Sequence, residues 1–359
     1  MVVERVTSRR GLEEFAEAFP HAELTRRRLD VEAEPYWQHA SRELFLLREG
    51  RRVIGRIAAV ANASHVAAHH DGRGFFGWLD CPDDPDAARA LCEAAAQWLR
   101  ERGHTHARGP MHLGLGEEQG ALLEGFQPRP DVLSPDNPPY LPVLLARVGM
   151  RVVHERHGYA WDREEVPAPP ASLRRGGAGD LIYRTIDPAN HGAEALRFLA
   201  AYNAAHEHRW GFVPMSEAEA RARIRDVLTF GDPRLVWLAE VRGEPAGVVV
   251  AMPVLADGAV APARPTGGRL AALRALREAL RGHDLARVHL VDVAVDPRFA
   301  ALHVGAQLLL RTWRAALDLG VHEAELSGVD AEDEPMHQLL WRLGCRRLRR
   351  YGVYEMALR

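Results

Sequence analysis

The sequence predicts an α/β (α+β) protein made of two tandem copies of one fold, each with a mixed central sheet flanked by helices. The first observation is length, because 359 residues exceed the size at which a single hydrophobic core stops growing. The second is an internal repeat with a constant offset of 195 positions (339 − 144), a regularity that chance does not explain. The repeat matches Leu144, Leu145, Arg147, Gly149, Arg151 and Tyr159 with Leu339, Leu340, Arg342, Gly344, Arg346 and Tyr354.

The N-terminal copy is predicted to alternate strands and helices, since apolar runs between turn residues favour strands and apolar residues at helical spacing favour helices. Its clearest signal is a hairpin, in which the runs 44–47 and 53–60 flank the turn 48–51. In chain order the other elements are a strand at 2–6, a helix at 11–19, a strand at 75–79, a helix at 86–101, a strand at 106–111, a helix at 140–148 and a terminal strand pair at 151–161.

A proline- and glycine-rich passage at 165–180 is typical of a linker and sets the predicted domains at 1–164 and 181–359. The same order of elements begins again after it. It comprises a strand at 181–186, a helix at 193–206, strands at 235–239 and 246–252 around a turn, a strand at 288–295, a helix that ends at Gly320, and a strand at 323–329.

The segment from Val288 to Gly320 predicts an anion-binding site. An apolar, β-branched run ends at Asp296-Pro297, and a short loop leads to Gly305 and an apolar helix. Backbone N–H groups at a helix N-terminus, together with the helix dipole, bind phosphate groups. No acidic residue lies between Pro297 and Gly305, so this loop favours a bound anion.

The segment resembles the acetyl-CoA-binding segment of the GNAT acetyltransferase superfamily, whose loop reads Q/R-x-x-G-x-G/A. In that frame Gly305 matches, whereas Ala300 and His303 replace the Arg/Gln and the first glycine. Other passages resemble a tandem family within the superfamily that has no agreed substrate, among them residues 74–77, 108–111, 137–140, 210–214, 325–327, 335–336 and 351–355. The resemblance implies two GNAT-type acyl-CoA N-acyltransferase folds, with acetyl-CoA as cosubstrate on Val293, Val295, Arg298, His303, Val304, Gly305 and Ala306.

The two copies differ at this loop. In the N-terminal copy the corresponding segment, residues 80–86, carries four aspartates, which we expect to cap the following helix and to repel a pyrophosphate. The sequence therefore predicts that the N-terminal copy is degenerate and binds no coenzyme A. The coenzyme site is expected in the C-terminal copy.

Acyl transfer to an amine needs a base, and an acid assists the departing thiolate. Asp292 is one candidate base, because burial in its apolar strand would raise its pKa; a solvent-facing or arginine-paired role is the alternative. Glu325 is the other, with an exposed strand position as the alternative. The tyrosine that serves as acid in the superfamily falls on Leu340, so Tyr351 or Tyr354 on the next strand is the candidate replacement, or else a core aromatic.

Acceptor specificity in the superfamily resides between the first two helices. In this sequence that region carries a polar and aromatic cluster, which is predicted either to border the substrate cleft or to pack the helices together. Its members are Tyr202, Asn203, His206, His208 and Trp210, and the candidate substrate residues are Tyr202, Asn203, Trp210 and Phe212.

Composition argues against several classes of function. The net charge is −3, and all 46 basic side chains are arginines, so no nucleic-acid partner is expected. No apolar run reaches membrane-spanning length and the N-terminus lacks a signal-peptide core, so we expect a cytoplasmic protein with no membrane partner. His65, His69 and His70 are predicted to lie in a solvated loop between polar flanks, with no metal bound.

Three functional hypotheses follow from these features. The first is a cytoplasmic N-acetyltransferase, a monomer or homodimer, that acetylates a primary amine of a small molecule or peptide in its C-terminal domain. The second is a non-catalytic tandem GNAT protein that binds a metabolite or acts as a scaffold. The third is a tRNA-dependent aminoacyl transferase similar to the Fem-type enzymes, which the slightly acidic balance disfavours.

Overall fold

The structure, a computed structural model, describes residues 1–19, 25, 28–111, 119–130, 134–162, 180–255 and 285–358. The linker predicted at 165–180 lies outside these ranges except for Asp180. The chain divides into two compact units. Unit 1 comprises Met1–Pro130, Ser134–Arg156 and Arg349–Arg359, and unit 2 is formed mainly by His157–Leu348.

The elements of unit 1 follow the predicted order. Its strands are β1 (Val2–Arg5), β2 (Ala40–Glu49), β3 (Arg52–Asn62), β4 (Arg73–Asp80), β5 (His106–Gly109) and β6 (Ala121–Glu124). Its helices are α1 (Arg9–Glu17), α2 (Ala63–His69), α3 (Pro85–Arg100) and α4 (Leu141–Val148). The next strand, β7 (Arg151–Asp162), is continuous where a strand pair was predicted, because Gly158 continues the strand instead of turning the chain.

The elements of unit 2 repeat that order. Its strands are β8 (Leu181–Thr185), β9 (Val236–Val241), β10 (Glu244–Leu255), β11 (Leu285–Val295) and β12 (Glu323–Asp330). Its helices are α5 (His191–His206), α6 (Glu217–Phe230), α7 (Val304–Asp318) and α8 (Glu334–Arg342), and the last strand of the chain is β13 (Arg346–Ala357).

The two sheets have the same topology. In unit 1, β1 to β4 pair antiparallel in chain order and β4 pairs parallel with β5. In unit 2, β8 to β11 pair antiparallel in chain order and β11 pairs parallel with β12. This agreement confirms the predicted α/β fold, in which mixed parallel and antiparallel strands are flanked by helices.

The final strands of the two copies are exchanged. From Arg349 onward β13 belongs to unit 1, where it pairs antiparallel with β5 and β6. The second half of β7 belongs to unit 2, where β7 is the neighbour of β12. As a result the repeated pair Tyr159 and Tyr354 is also exchanged, with Tyr159 in unit 2 and Tyr354 in unit 1.

Helix α7 covers the sheet of unit 2 at close range. Val304 and Leu308, one turn apart on its apolar face, are fully buried in the core. Gly247 of β10 allows this approach, because a Cβ there would lie 3.0 Å from the Ala294 carbonyl oxygen and 3.1 Å from Leu308 Cδ1. The close contact fixes the N-terminus of α7 above the ends of β10 and β11.

The histidine-rich segment is a helix, and the predicted solvated loop is wrong. The Asn62 side chain caps α2 by accepting a hydrogen bond from the His65 amide at 3.0 Å. His65 is only 2% exposed, and its ring packs edge-on against Phe75. Asn62, taken as part of a loop signal, is therefore the N-cap of a short helix.

Candidate active site

The parallel strands β11 and β12 separate within unit 2. They pair at only three positions, the last of which joins Leu290 to Leu326. Past that point β11 contains a bulge, since Val250 of β10 faces Asp292 while the next residue faces Leu290. In β12, Gly328 has a positive φ of 80°. Residues 292–295 of β11 and 327–330 of β12 therefore follow the last ladder pair, and we call the unpaired stretch between them the groove.

Helix α7 begins at the β11 side of this groove without a side-chain cap. His303, its N-cap residue, makes no capping hydrogen bond, and the first turn holds no acidic residue. His303 has a φ of 55°, so it keeps the left-handed conformation typical of glycine at the position where the superfamily carries glycine. Uncapped N–H groups at a helix N-terminus attract anions.

The other predicted coenzyme residues surround this helix start. Val304 and Ala306 of α7 are buried, and Val293 of β11 belongs to the same core. Gly305 fits closely, because a Cβ there would lie 3.3 Å from Val295 Cγ2. A side chain there would press on Val295, so close packing is a second reason for a glycine, and Gly305 and Val295 lie together at the helix start.

Arg298 points elsewhere. Its guanidinium holds the buried Asp296 carboxylate, with Nη2 at 2.7 Å from Oδ2, and reaches Glu244 at 3.4 Å. Burial opposes ionisation of Asp296, yet hydrogen bonds from the Arg298 side chain and amide hold the pKa of that carboxyl below its usual range. We therefore assign Arg298 to the fixing of the turn Pro297–Leu302 rather than to phosphate binding.

Unit 1 is closed at both corresponding places. The Asp84 carboxylate caps α3 by accepting hydrogen bonds from the amides of Asp86 and Ala87, which confirms the predicted capping. The strands also stay together, because the Met111 amide donates to the Phe76 carbonyl oxygen at 2.8 Å. A Cβ at Gly109 would lie 2.2 Å from that oxygen, so the gap has no room for a side chain.

A buried carboxylate lies on the other face of β11. Successive strand residues face opposite sides of a sheet, so Val293 joins the core under α7 while Asp292 contacts α6. Asp292 is 4% exposed and is held by Arg223, with Nε at 3.2 Å from Oδ2 and Nη2 at 3.3 Å from Oδ1. The structure thus shows the arginine-paired arrangement that the sequence left open.

Glu325 belongs to a second buried polar group beside Asp292. It is 1% exposed, so the exposed position considered as its alternative is wrong. Its cross-strand partner on β11 is His289, which is also buried, and Arg287 Nη1 lies 3.7 Å from Glu325 Oε2. Glu325 is thus a buried acid ion-paired with Arg287 and opposite His289, one position before the last pair of the two strands.

Tyr354 and Tyr351 lie elsewhere. Both are buried in unit 1, and Tyr354 packs in the core around α3, where burial raises its pKa. The two carboxylates lie in unit 2. The structure thus gives Tyr354 the core role that the sequence left as its alternative, and we leave it out of the site proposed below.

The predicted acceptor residues form a packed cluster at the end of α5. Tyr202 stacks on His206 with ring centroids 4.2 Å apart, and Phe212 packs against both rings. Asn203 holds the loop before α6 through two hydrogen bonds with the Met215 backbone, at 2.9 and 3.1 Å. Trp210 is half-buried. These contacts stabilise the region between α5 and α6.

Sequence reasoning missed the partners Arg223, Arg287 and His289. Arg287 and His289 stand at alternate positions of a strand that otherwise looks apolar, and this period-2 pattern was the available signal. Arg223 carried no local signal, because its helix lies 69 positions before Asp292. Across the described residues, no group of three metal-ligating side chains is found and no helix is long and apolar enough to cross a membrane.

Comparison with known proteins decides the family. No family model matches the chain. It is 32% identical over 342 residues to the bacterial ceramide synthase of Caulobacter vibrioides, in an alignment that covers 92% of this chain and 87% of that protein. The chain belongs to the family of that synthase. It is also 26% identical over 330 residues to protein YghO of Escherichia coli, covering 90% of this chain and 84% of that protein.

Two solved structures share the fold of this member of the ceramide synthase family. A tandem GNAT protein from the clavulanic acid biosynthesis pathway is 15% identical with a TM-score of 0.57, and covers 100% of this chain and 98% of its own. A GCN5-related N-acetyltransferase from Sphaerobacter thermophilus is 17% identical with a TM-score of 0.53, and covers 94% and 86%. The predicted resemblance to tandem GNAT proteins is thereby confirmed.

Proposed function

We propose that this protein is an acyl-CoA-dependent N-acyltransferase whose reaction takes place in unit 2. The single observation that carries the proposal is the groove between β11 and β12, which opens beside the uncapped start of α7. In unit 1 the parallel ladder of β4 and β5 also ends after three pairs, but a Met111–Phe76 backbone hydrogen bond follows it and Asp84 caps the corresponding helix. We therefore place the thioester and the bound pyrophosphate in unit 2, and we expect unit 1 to bind neither.

The roles of the residues follow from their places. The amides of residues 304–306 would bind the pyrophosphate, favoured by the helix dipole. The thioester would lie in the groove beside the polar group of β11 and β12. Asp292 and Glu325 would receive the proton of the acceptor ammonium, directly or through water, so that a neutral amine attacks the carbonyl carbon.

The acceptor we propose is the amine of a long-chain amino alcohol, and the donor a long-chain acyl-CoA. A ceramide is the amide of a fatty acid with such an amine, and the Caulobacter relative is named for forming it. This choice refines the acetyl-CoA donor and the small-molecule or peptide amine expected from the sequence. The reaction is the same for both pairs of donor and acceptor, because an amide forms and coenzyme A leaves as a free thiol.

The test is a release assay for free coenzyme A with the full chain. We expect release with a long-chain acyl-CoA that depends on a sphingoid amine, and a faster rate with that pair than with acetyl-CoA and a short amine. The amide product should be detected by mass spectrometry. No heat with millimolar coenzyme A, and no release from any donor, would refute the enzyme and leave the binding protein of the second hypothesis.

A further inference from the structure

The C-terminal end of α8 exposes a tryptophan. Trp341 is 59% exposed, and it is the only aromatic residue among the exposed large apolar side chains in the described part of the chain. Leu340, directly before it, is fully buried in the core, so α8 is anchored on one side and presents Trp341 on the other. Tryptophan combines a large apolar ring with a polar N–H group, and it is enriched where proteins meet the surface of a membrane.

Basic residues follow this tryptophan. The segment from Pro335 to Tyr354 contains five arginines and no acidic residue, although the whole chain has 49 acidic residues and a net charge of −3. Three of these arginines are exposed, namely Arg342, Arg346 and Arg347. Within the residues that the structure describes, neither Arg342 nor Arg347 forms an ion pair with a carboxylate. Their positive charge is therefore available to an anionic partner.

Backbone hydrogen bonds hold this region in one tight turn. The amide of Gly344, which has a φ of 82°, donates to the Trp341 carbonyl oxygen at 3.0 Å, and the Cys345 amide donates to the Leu340 carbonyl oxygen at 2.9 Å. A left-handed glycine of this kind ends a helix. The exposed arginines thus lie on both sides of a turn that begins at the tryptophan. We call the four exposed residues the basic tryptophan patch, and all of them belong to unit 2.

Helix α8 also contacts the start of α7. Leu339 Cδ2 would lie 3.7 Å from a Cβ at Gly305. Leu339 and Trp341 are two positions apart, so they face different sides of the helix. One side of α8 therefore packs beside the proposed coenzyme site, while the patch faces outward. A partner bound at the patch is thus held by the same helix that borders this site.

We propose that the basic tryptophan patch docks unit 2 on the anionic phospholipid surface of a membrane, an inference that takes its choice of partner from the proposed function. The acyl chain and the acceptor proposed above are long-chain lipids, and long hydrocarbon chains partition into bilayers. The arginines attract anionic headgroups, and the tryptophan ring inserts at the headgroup level. The length of apolar runs, on which the expectation of no membrane partner rests, bears on spanning a bilayer and not on binding at its surface.

The experiment measures the partition of the full chain onto vesicles by flotation, without substrate. The vesicles contain either phosphatidylcholine alone or phosphatidylcholine and phosphatidylglycerol in equal parts. We expect binding to the mixed vesicles, weaker as salt is added, and little binding to the neutral ones. Arg342→Gln combined with Arg347→Gln should weaken binding to the mixed vesicles at least about 10-fold. Trp341→Ser should weaken it at least about 3-fold, because less apolar area enters the headgroup region.

The matched controls remove similar groups elsewhere in unit 2. Ile182→Ser removes an apolar side chain that is 56% exposed on β8. Arg225→Gln combined with Arg314→Gln removes two exposed arginines, one of α6 and one of α7. Neither control should change the partition more than about 2-fold, because salt screens charges that lie away from the bound surface. Circular dichroism checks that each variant is folded.

Three results would contradict the proposals. No binding to the mixed vesicles, or equal losses in the patch and control variants, would overturn the docking surface while leaving the proposed function in place. If Trp341→Ser converts a dimer into a monomer and leaves vesicle binding unchanged, the patch contacts a second copy of the chain and the docking surface is wrong. Vesicle binding through the patch without acyl transfer from any donor would overturn the proposed function alone.

Discussion

At the scale of single residues, the reaction proposed for unit 2 depends on how Asp292 is held. The Asp292 carboxylate is almost completely buried. A buried carboxylate is stable in its charged form only with a close counter-ion. Arg223 supplies that charge in a two-point contact and joins α6 to β11. The pair therefore links the wall of the acceptor region to the strand that would border the thioester.

Asp292→Asn should lower acyl transfer at least about 10²-fold, because the amide neither accepts a proton nor balances Arg223. Stability should fall by about 1–3 kcal/mol, since one buried partner of the pair is left with a weaker one. The matched control is Asp232→Asn, which removes a carboxylate of similar burial that binds Arg234 in a turn outside the groove. Steady-state kinetics and urea unfolding measure both. Equal activity of the two variants would contradict a catalytic part for Asp292.

His65 of unit 1 predicts a pH dependence of stability. Burial lowers its pKa from 6.5 to about 4, against an opposing effect of Asp71 and with help from His69 and Arg108. The unfolded chain thus binds more protons than the folded one between those values, so stability is full above pH 6.5 and is lost as the pH falls toward 4. The loss should be roughly 2–4 kcal/mol.

Amide hydrogen exchange in β3 and β4, measured at pH 7 and pH 4.5, tests this dependence. His65→Gln should flatten the change, because its side chain does not take up a proton in this range. His208→Gln, at an exposed position, should leave the change as in the wild type. An unaltered pH response in His65→Gln would assign the acid sensitivity to other groups.

At the scale of elements, the start of α7 determines whether unit 2 can bind an anion. His303 already adopts the left-handed conformation that asparagine and aspartate tolerate, so both replacements fit the backbone. His303→Asp would reproduce the acidic cap that closes α3, and His303→Asn would supply the same cap without charge. The pair isolates the effect of one negative charge.

We expect His303→Asp to weaken coenzyme A binding at least about 10-fold relative to His303→Asn, a difference of about 1.4 kcal/mol. Both variants should unfold at similar urea concentrations, since both cap the helix. Calorimetric titration with coenzyme A measures the affinities. If the two variants bind the coenzyme equally, the phosphate groups do not lie at this helix.

The start of α7 was also the element that the sequence predicted best. Local signals sufficed there, namely Asp296-Pro297 at the strand end and Gly305 in the first helical turn. The groove beside it was not predictable in the same way. The bulge at Val291 and the last pair at Leu290 depend on the register of β11 with β10 and β12, which long-range packing determines. For the same reason the partner Arg223 could not be named.

At the scale of the whole molecule, the repeat predicted two folds but not the exchange of their last strands. At the offset of 195, β7 and β13 share Arg151/Arg346 and Tyr159/Tyr354, which does not say which sheet each strand completes. Side-chain contacts show which unit β13 completes. Glu355 of β13 binds Arg73 at 2.7 Å and Arg108 at 2.8 Å, and although burial opposes it, these guanidinium groups hold the pKa of Glu355 below its usual range. All three residues lie in unit 1.

This exchange predicts that damage at the C-terminus destabilises the N-terminal half of the chain. Glu355→Gln weakens two charge-assisted hydrogen bonds at a buried site, so amides of β4 and β5 should lose protection against hydrogen exchange, with a loss of about 1–3 kcal/mol. Glu240→Gln is the control, because Glu240 binds Arg184 in unit 2 and its loss should affect β8 and β9. If Glu355→Gln instead released the amides of β11 and β12, the last strand would belong to the copy that encodes it.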